Sequence, residues 1–216
     1  MAAAGPPGQR ITIPVTAGLL LEGCLDLPEG EGPFPGVVLC HPHPLYGGNM
    51  ENNVILAASR ALTKRGIAAL RFNFRGVGKS QGAYSGGPGE QEDARAALAW
   101  LTGRKEADPA RTGIMGYSFG GMIALLAGEA SPAARALAAV SPVLTPGMLT
   151  ACEKPKMIIC GGADSLLPVS QTVREAEAMA GPKTVLVIPG ADHFWRGREN
   201  EAAVPAAEFF KEIFAR

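Results

Sequence analysis

GIMGYSFGGM, residues 113–122, surrounds one serine with four glycines inside the nine positions 113–121. Glycine in a regular element costs backbone entropy, so this density has a geometric cause. Two causes fit: a turn too tight for side chains, or a cradle of backbone N–H groups around a phosphate. Gly116-Tyr117-Ser118-Phe119-Gly120 matches G-x-S-x-G. Residues 111–116 read as a strand and 119–128 as the helix after it, which puts the serine on the turn between them. In that context the pattern is a nucleophile elbow, which holds the serine oxygen clear of the sheet. The N–H groups opening the next helix favour negative charge beside it. The phosphate alternative lacks a lysine after these glycines. It also fails at NFRGVGKS, residues 73–80, where asparagine replaces the first glycine of G-x-x-x-x-G-K-S. The QGAYSGGPG that follows cannot open the helix such a loop requires.

Outward from the elbow, strands and helices alternate. Residues 10–15 and 19–27 read as strands that pair as a hairpin near Ala17-Gly18. GVVLC, 36–40, is a short buried strand after the turn residues Pro33-Phe34-Pro35. Residues 52–65 have helical spacing and close at Gly66, 67–74 form a strand, and 75–89 a loop rich in Gly and Ser. The helix expected at 90–101 carries Ala94, Ala97, Leu98 and Leu101 on one side. Further strands are expected at 136–143, 155–160 and 183–188, and helices at 169–180 and 201–215. This alternation predicts an α/β fold: a mostly parallel sheet with helices on both faces, preceded by an antiparallel N-terminal hairpin. No repeat or linker divides the chain. One domain over 9–216 is expected, behind a flexible N-terminal tail, 1–8, that lacks the apolar core of a signal peptide.

The chain has 216 residues and a formal net charge of zero, with 47% hydrophobic and 19% charged residues. That length buries a core without disulfide staples. The balanced charge argues against the broad basic face of a nucleic-acid or anionic-membrane binder. No window of about 18 apolar residues suggests a membrane span. Cys24, Cys40, Cys152 and Cys160 form no C-x-x-C pair, and Cys40 and Cys160 close apolar strand runs where free thiols behave as small hydrophobes. These features predict a cytoplasmic protein with no nucleic-acid or membrane partner. A homodimer stays open.

Ligands of such sheets bind at the carboxyl ends of the strands, where the reactive residue types gather here. A serine hydroxyl needs a base to take its proton. The three histidines are His41, His43 and His193, and the elbow order of serine, acid, histidine selects His193. Asp164, in CGGADSLLP, is expected to orient that imidazole. Asp192 is the rival, but adjacent side chains rarely pair in the needed geometry, and it is expected to shape its own loop. The Phe119 N–H should supply one oxyanion donor. The other should come from HPHPLYGG, whose prolines have no N–H: His43 is favoured, with Leu45 as alternative. Arg75 is expected to order this loop or the Asp192 region. His41-x-His43 offers too few ligands for a hydrolytic metal, and no G-x-G-x-x-G follows the first strand, so neither metal nor cofactor is expected.

HPHPLYGG, RFNFRGVGKSQG, GYSFGG, GGAD and GADHFW occur in this order, and with them the chain from about residue 18 onward resembles the α/β-hydrolase superfamily. It is most similar to small, lidless bacterial serine hydrolases akin to dienelactone hydrolases. The resemblance implies Ser118, Asp164 and His193 as a Ser-His-Asp triad. Dienelactone hydrolases proper use cysteine as nucleophile, and serine stands here. Lids of the superfamily commonly insert after the strand expected at 136–143, where only residues 144–154 precede the next strand, too few for a cap domain. The open pocket is expected to draw on Leu45, Tyr46, Tyr117, Met148, Leu149, Leu166, Phe194 and Trp195. Such a site suggests a carboxylesterase-type serine hydrolase that cleaves short-chain esters through an acyl-enzyme. The alternatives are a serine peptidase or amidase of the same fold, and an inactive hydrolase fold used as a binding module.

Overall fold

The computed structural model of the chain describes residues 8–216. Apart from Gly8, the tail expected at 1–8 lies outside them. The elements run β1 (Gln9–Pro14), β2 (Leu20–Asp26), β3 (Phe34–Cys40), α1 (Asn53–Thr63), β4 (Ala68–Phe72), α2 (Pro88–Thr102), β5 (Ala107–Tyr117), α3 (Phe119–Ala130), β6 (Ala136–Val140), β7 (Lys156–Gly161), α4 (Val169–Glu177), β8 (Lys183–Ile188) and α5 (Glu199–Phe214).

The strands form one sheet in the order β1-β2-β4-β3-β5-β6-β7-β8. β2 pairs antiparallel with β1 and with β4, and every other pairing is parallel. This is the α/β-hydrolase fold, with no cap domain in the connection between β6 and β7. β5 begins earlier than its apolar run because Ala107 pairs with Phe34 across a register shift between Phe34 and Gly36. Asp108 holds that start, accepting from Ala110 N at 2.9 Å and from Arg111 Nε at 2.7 Å.

Sheets buried on both faces read as continuous apolar runs, and GVVLC is one. Its side chains alternate between two cores. Val38 and Cys40 join Leu70, Leu98, Ile114 and Ile123 on the α2–α3 face. Val37 and Leu39 join Ile55, Leu62, Met115 and Phe210 on the α1–α5 face. All four cysteines are buried and free. Among the described residues, no helix is long and apolar enough to cross a membrane. The parallel strands end together at one edge, and the last residue of central β5 is followed by Ser118.

Candidate active site

Ser118 sits between β5 and α3 with φ +55° and ψ −120°, a conformation that side-chain-bearing residues rarely adopt. Such strain costs about 1–3 kcal/mol and persists only where the surroundings hold it. Ser118 N donates to Val140 O at 2.9 Å, and Ser118 O accepts from Gly121 N at 2.9 Å and Met122 N at 3.2 Å. The glycines make room for this. A methyl group on Gly116 would overlap the Gly120 carbonyl, and one on Gly120 would overlap the carbonyl oxygens of Cys40 and His41. The tight turn, and not a phosphate cradle, therefore accounts for these two glycines. Gly113 serves packing instead, because a methyl there would meet the Phe210 ring.

His193 lies in the loop between β8 and α5. Its Nε2 is 3.1 Å from Ser118 Oγ, and its Nδ1 is 2.7 Å from Asp164 Oδ2. The carboxylate can only accept, so the imidazole proton sits on Nδ1 and Nε2 is left as the acceptor facing the serine. The His193 side chain is 8% exposed and that of Asp164 3%. Asp164 also makes a turn, because its Oδ1 accepts from Leu166 N at 3.0 Å and Leu167 N at 2.9 Å. One oxygen fixes the carboxylate while the other meets the histidine. Asp192 points elsewhere: its Oδ1 accepts from Phe194 N at 3.0 Å and Trp195 N at 2.9 Å, which shapes the loop.

Three contacts that sequence reasoning missed hold the His193 loop. The Tyr117 hydroxyl donates to His193 O at 2.6 Å, Asn53 Nδ2 to Phe194 O at 3.1 Å, and Trp195 Nε1 to Ser141 Oγ at 3.1 Å. Tyr117 adjoins the serine in sequence, which is a signal of sorts. Asn53 and Ser141 carry none.

The loop after β3 turns tightly. His43 O accepts from Tyr46 N and Gly48 N, each at 3.1 Å, and His43 Nδ1 accepts from Leu45 N at 3.2 Å. The Leu45 N–H is therefore engaged, whereas those of His43 and Phe119 have no acceptor among the described residues. His41 is fully buried, with Nδ1 2.6 Å from Pro42 O and Nε2 accepting from Phe74 N at 3.1 Å. Both its nitrogens are occupied away from Ser118. Burial pushes its pKa down to about 4, so it stays neutral near pH 7. Among the described residues, no cluster of three or more His, Cys, Asp or Glu side chains could hold a metal ion.

The family model described as X-Pro dipeptidyl-peptidase (S15 family) matches residues 18–151, well over half the chain and including the elbow. This chain belongs to the S15 family of α/β serine hydrolases. An α/β serine hydrolase homologue from Coxiella burnetii is 30% identical, with 97% of this chain and 99% of that one covered at a TM-score of 0.81. A serine hydrolase without a lid from Xanthomonas campestris is 27% identical, with 100% and 97% covered, also at 0.81. An uncharacterised protein of Rickettsia prowazekii is 35% identical over 178 residues, which are 77% of this chain and 74% of that protein. The S15 match stops before Asp164 and His193, so the placement of those two rests on the distances above.

The mouth of this S15 hydrolase departs from the expected pocket. Leu45, Tyr46, Leu166 and Phe194 are exposed, at 67%, 87%, 57% and 49%. Tyr117, Met148, Leu149 and Trp195 are not at the surface and belong to the core. Met148 and Leu149 lie in one buried cluster with Cys152, Ala176 and Met179, and Leu149 O accepts from Ala180 N at 3.0 Å. Trp195 and Tyr117 join the α1–α5 core with Ala191 and Ala203. Arg75 is a second correction. It hydrogen-bonds neither the HPHP loop nor the Asp192 region, but pairs with Asp93 at 2.8 Å and Glu92 at 3.2 Å on α2. A groove of about 850 Å³ opens at the opposite end of the sheet, lined by Arg111, Glu129, Arg135, Lys154 and Phe214. It shares no residue with the Ser118 site.

Proposed function

We propose that this chain cleaves short-chain carboxylic esters by two-step acyl transfer, with Ser118, His193 and Asp164 as a catalytic triad. His193 Nε2 takes the Ser118 proton as Oγ attacks the carbonyl carbon, and Asp164 steadies the imidazolium that forms. The N–H groups of Phe119 and His43 hold the oxyanion. His193 then protonates the departing alkoxide, and water repeats the sequence on the acyl-enzyme. The observation that carries this reading is the continuous relay of 3.1 Å and 2.7 Å from Ser118 Oγ through His193 to Asp164. No cap covers the site, and the exposed apolar side chains of Leu45, Tyr46, Leu166 and Phe194, on the loops that carry His43, Asp164 and His193, support small apolar acyl and alcohol groups.

The match to a peptidase family favours a second reading, cleavage of a peptide amide by the same groups. The two separate in one experiment: labelling with a fluorophosphonate, then turnover of p-nitrophenyl esters from acetate to palmitate beside aminoacyl anilides. The ester reading expects labelling and the fastest turnover on the shortest esters. Anilides outpacing every ester would establish the peptidase. An unlabelled protein that turns over nothing would leave only a binding module. Ser118→Ala should abolish labelling and lower kcat by about a thousandfold or more.

A further inference from the structure

The loop 75–87 has no part in the reaction as described, yet it delivers one side chain to the site. Arg75 and Asp93 fasten its start, and the Glu90 carboxylate accepts from Ser85 N at 2.9 Å and Gly87 N at 2.7 Å at its end. Between them, the Tyr84 hydroxyl lies 3.1 Å from His43 Nε2. The Leu45 N–H can only donate, so His43 Nδ1 is the acceptor and the ring proton sits on Nε2, pointing at Tyr84. The His43 ring is gripped on three sides, with centroids 4.7 Å from Tyr46, 4.9 Å from Tyr84 and 4.8 Å from Phe119. Its carbonyl is tied as well, by Tyr46 N and Gly48 N. Every polar group of His43 is therefore held, except its main-chain N–H.

We infer that the His43 imidazole and Tyr84 are positioning residues that aim the His43 N–H at the oxyanion. The inference rests on the proposed function and adds a task for two side chains that touch no reacting atom. A donor must stand 2.7–3.1 Å from the oxyanion rather than from the ground-state carbonyl, so a small rotation of this turn weakens the transition state more than substrate binding. The Leu45 N–H bond to Nδ1 and the Tyr84 bond to Nε2 are what prevent that rotation. The Gly- and Ser-rich loop thereby acquires a role, because it carries Tyr84.

Three variants test this on an ester and on an aryl boronic acid, whose tetrahedral adduct with Ser118 mimics the oxyanion. His43→Ala keeps the main-chain N–H but loses the Nδ1 acceptor. kcat and boronate affinity should both fall about tenfold or more, with KM changed less than about twofold. His43→Asn places a side-chain oxygen where it can again accept the N–H two residues on, and should restore most of the loss. Tyr84→Phe keeps the ring, removes the hydroxyl, and should lower kcat severalfold with KM unchanged. Equal impairment of the Ala and Asn variants, or losses in KM alone, would overturn the inference. If His43→Ala does not fold, full kcat and full boronate affinity in Tyr84→Phe overturn it just as well. Wild-type protein that fluorophosphonate fails to label would instead overturn the proposed function, so the two failures are distinct.

Discussion

The Tyr117 hydroxyl donates to the main-chain oxygen of His193 at 2.6 Å and so joins the residue before the elbow serine to the residue that faces it. Tyr117 is 4% exposed, and burial raises its pKa well above the ordinary tyrosine range, which keeps the hydroxyl a donor. Tyr117→Phe leaves the His193 carbonyl without this partner. An unsatisfied buried acceptor costs about 1–3 kcal/mol. The variant should melt several degrees lower and lose roughly tenfold in kcat with little change in KM, because a 1 Å misplacement of a base outweighs its effect on binding. Urea unfolding and ester kinetics on the same sample read both effects. Unchanged kcat would show that the loop holds His193 without the tyrosine.

What the sequence announced and what it concealed divide by the range of the contacts. G-x-S-x-G between a strand and a helix, and a single histidine after it, lead to Ser118 and His193 because motif order is a property of the chain itself. Asp164 follows from position after a strand. The rim is less legible, because hydrophobicity alone does not separate rim from core. Leu45 and Trp195 are both large and apolar and both lie in loops beyond strand ends, yet one is 67% exposed and the other fully buried. Arg75 is hard to place from sequence for a similar reason. Its partner Asp93 is an acid within an amphipathic helix, a position that usually faces water, but it lies fully buried beside Ala94 and Ala97. Only the fold brings the arginine to it.

His41 predicts an acid-sensitive fold. Its pKa is near 6.5 when unfolded and is pushed down to about 4 by burial. Above pH 6.5 neither state holds the proton and the group is neutral toward stability. As pH falls from 6.5 toward 4, the unfolded chain takes up a proton that the folded chain refuses, so stability drops by about 1.4 kcal/mol per pH unit. The loss should total on the order of 3 kcal/mol by pH 4. Urea midpoints at pH 7, 5.5 and 4 for wild type and His41→Asn isolate it. The variant should be less stable at pH 7 and show the flatter decline. Equal slopes would mean that His41 takes up its proton without disrupting the loop.

Gly120 and Gly47 should respond oppositely to alanine although both lie near the site. A methyl on Gly120 overlaps two main-chain oxygens, of Cys40 and His41, which have no room to move without parting β3 from α3. Gly120→Ala should cost at least about 3 kcal/mol and abolish turnover. Gly47, at φ +81°, faces open space. Gly47→Ala meets only backbone strain, about 1 kcal/mol, and should retain activity. Thermal melts and initial rates distinguish them. Similar melting temperatures would refute the close approach of α3 to the end of β3.

The cysteines give a test of the fold that is independent of any substrate. Cys24, Cys40, Cys152 and Cys160 are all unpaired and buried. Burial pushes the Cys24 and Cys160 thiols up to about 11, so at pH 8 only about one part in a thousand of either is thiolate. Reaction with a disulfide reagent needs both a thiolate and access, and the folded chain withholds access from all four and thiolate from Cys24, Cys40 and Cys160. Native protein without reductant should therefore label slowly at pH 8. In guanidinium four equivalents should react at once, since no disulfide has to be reduced first. The native rate should track unfolding and rise with urea, because opening of the strands is the route to Cys40 and Cys160. Reaction of Cys40 or Cys160 within seconds in buffer would place its strand end at the surface and contradict the packing of β3 and β7 against their helices.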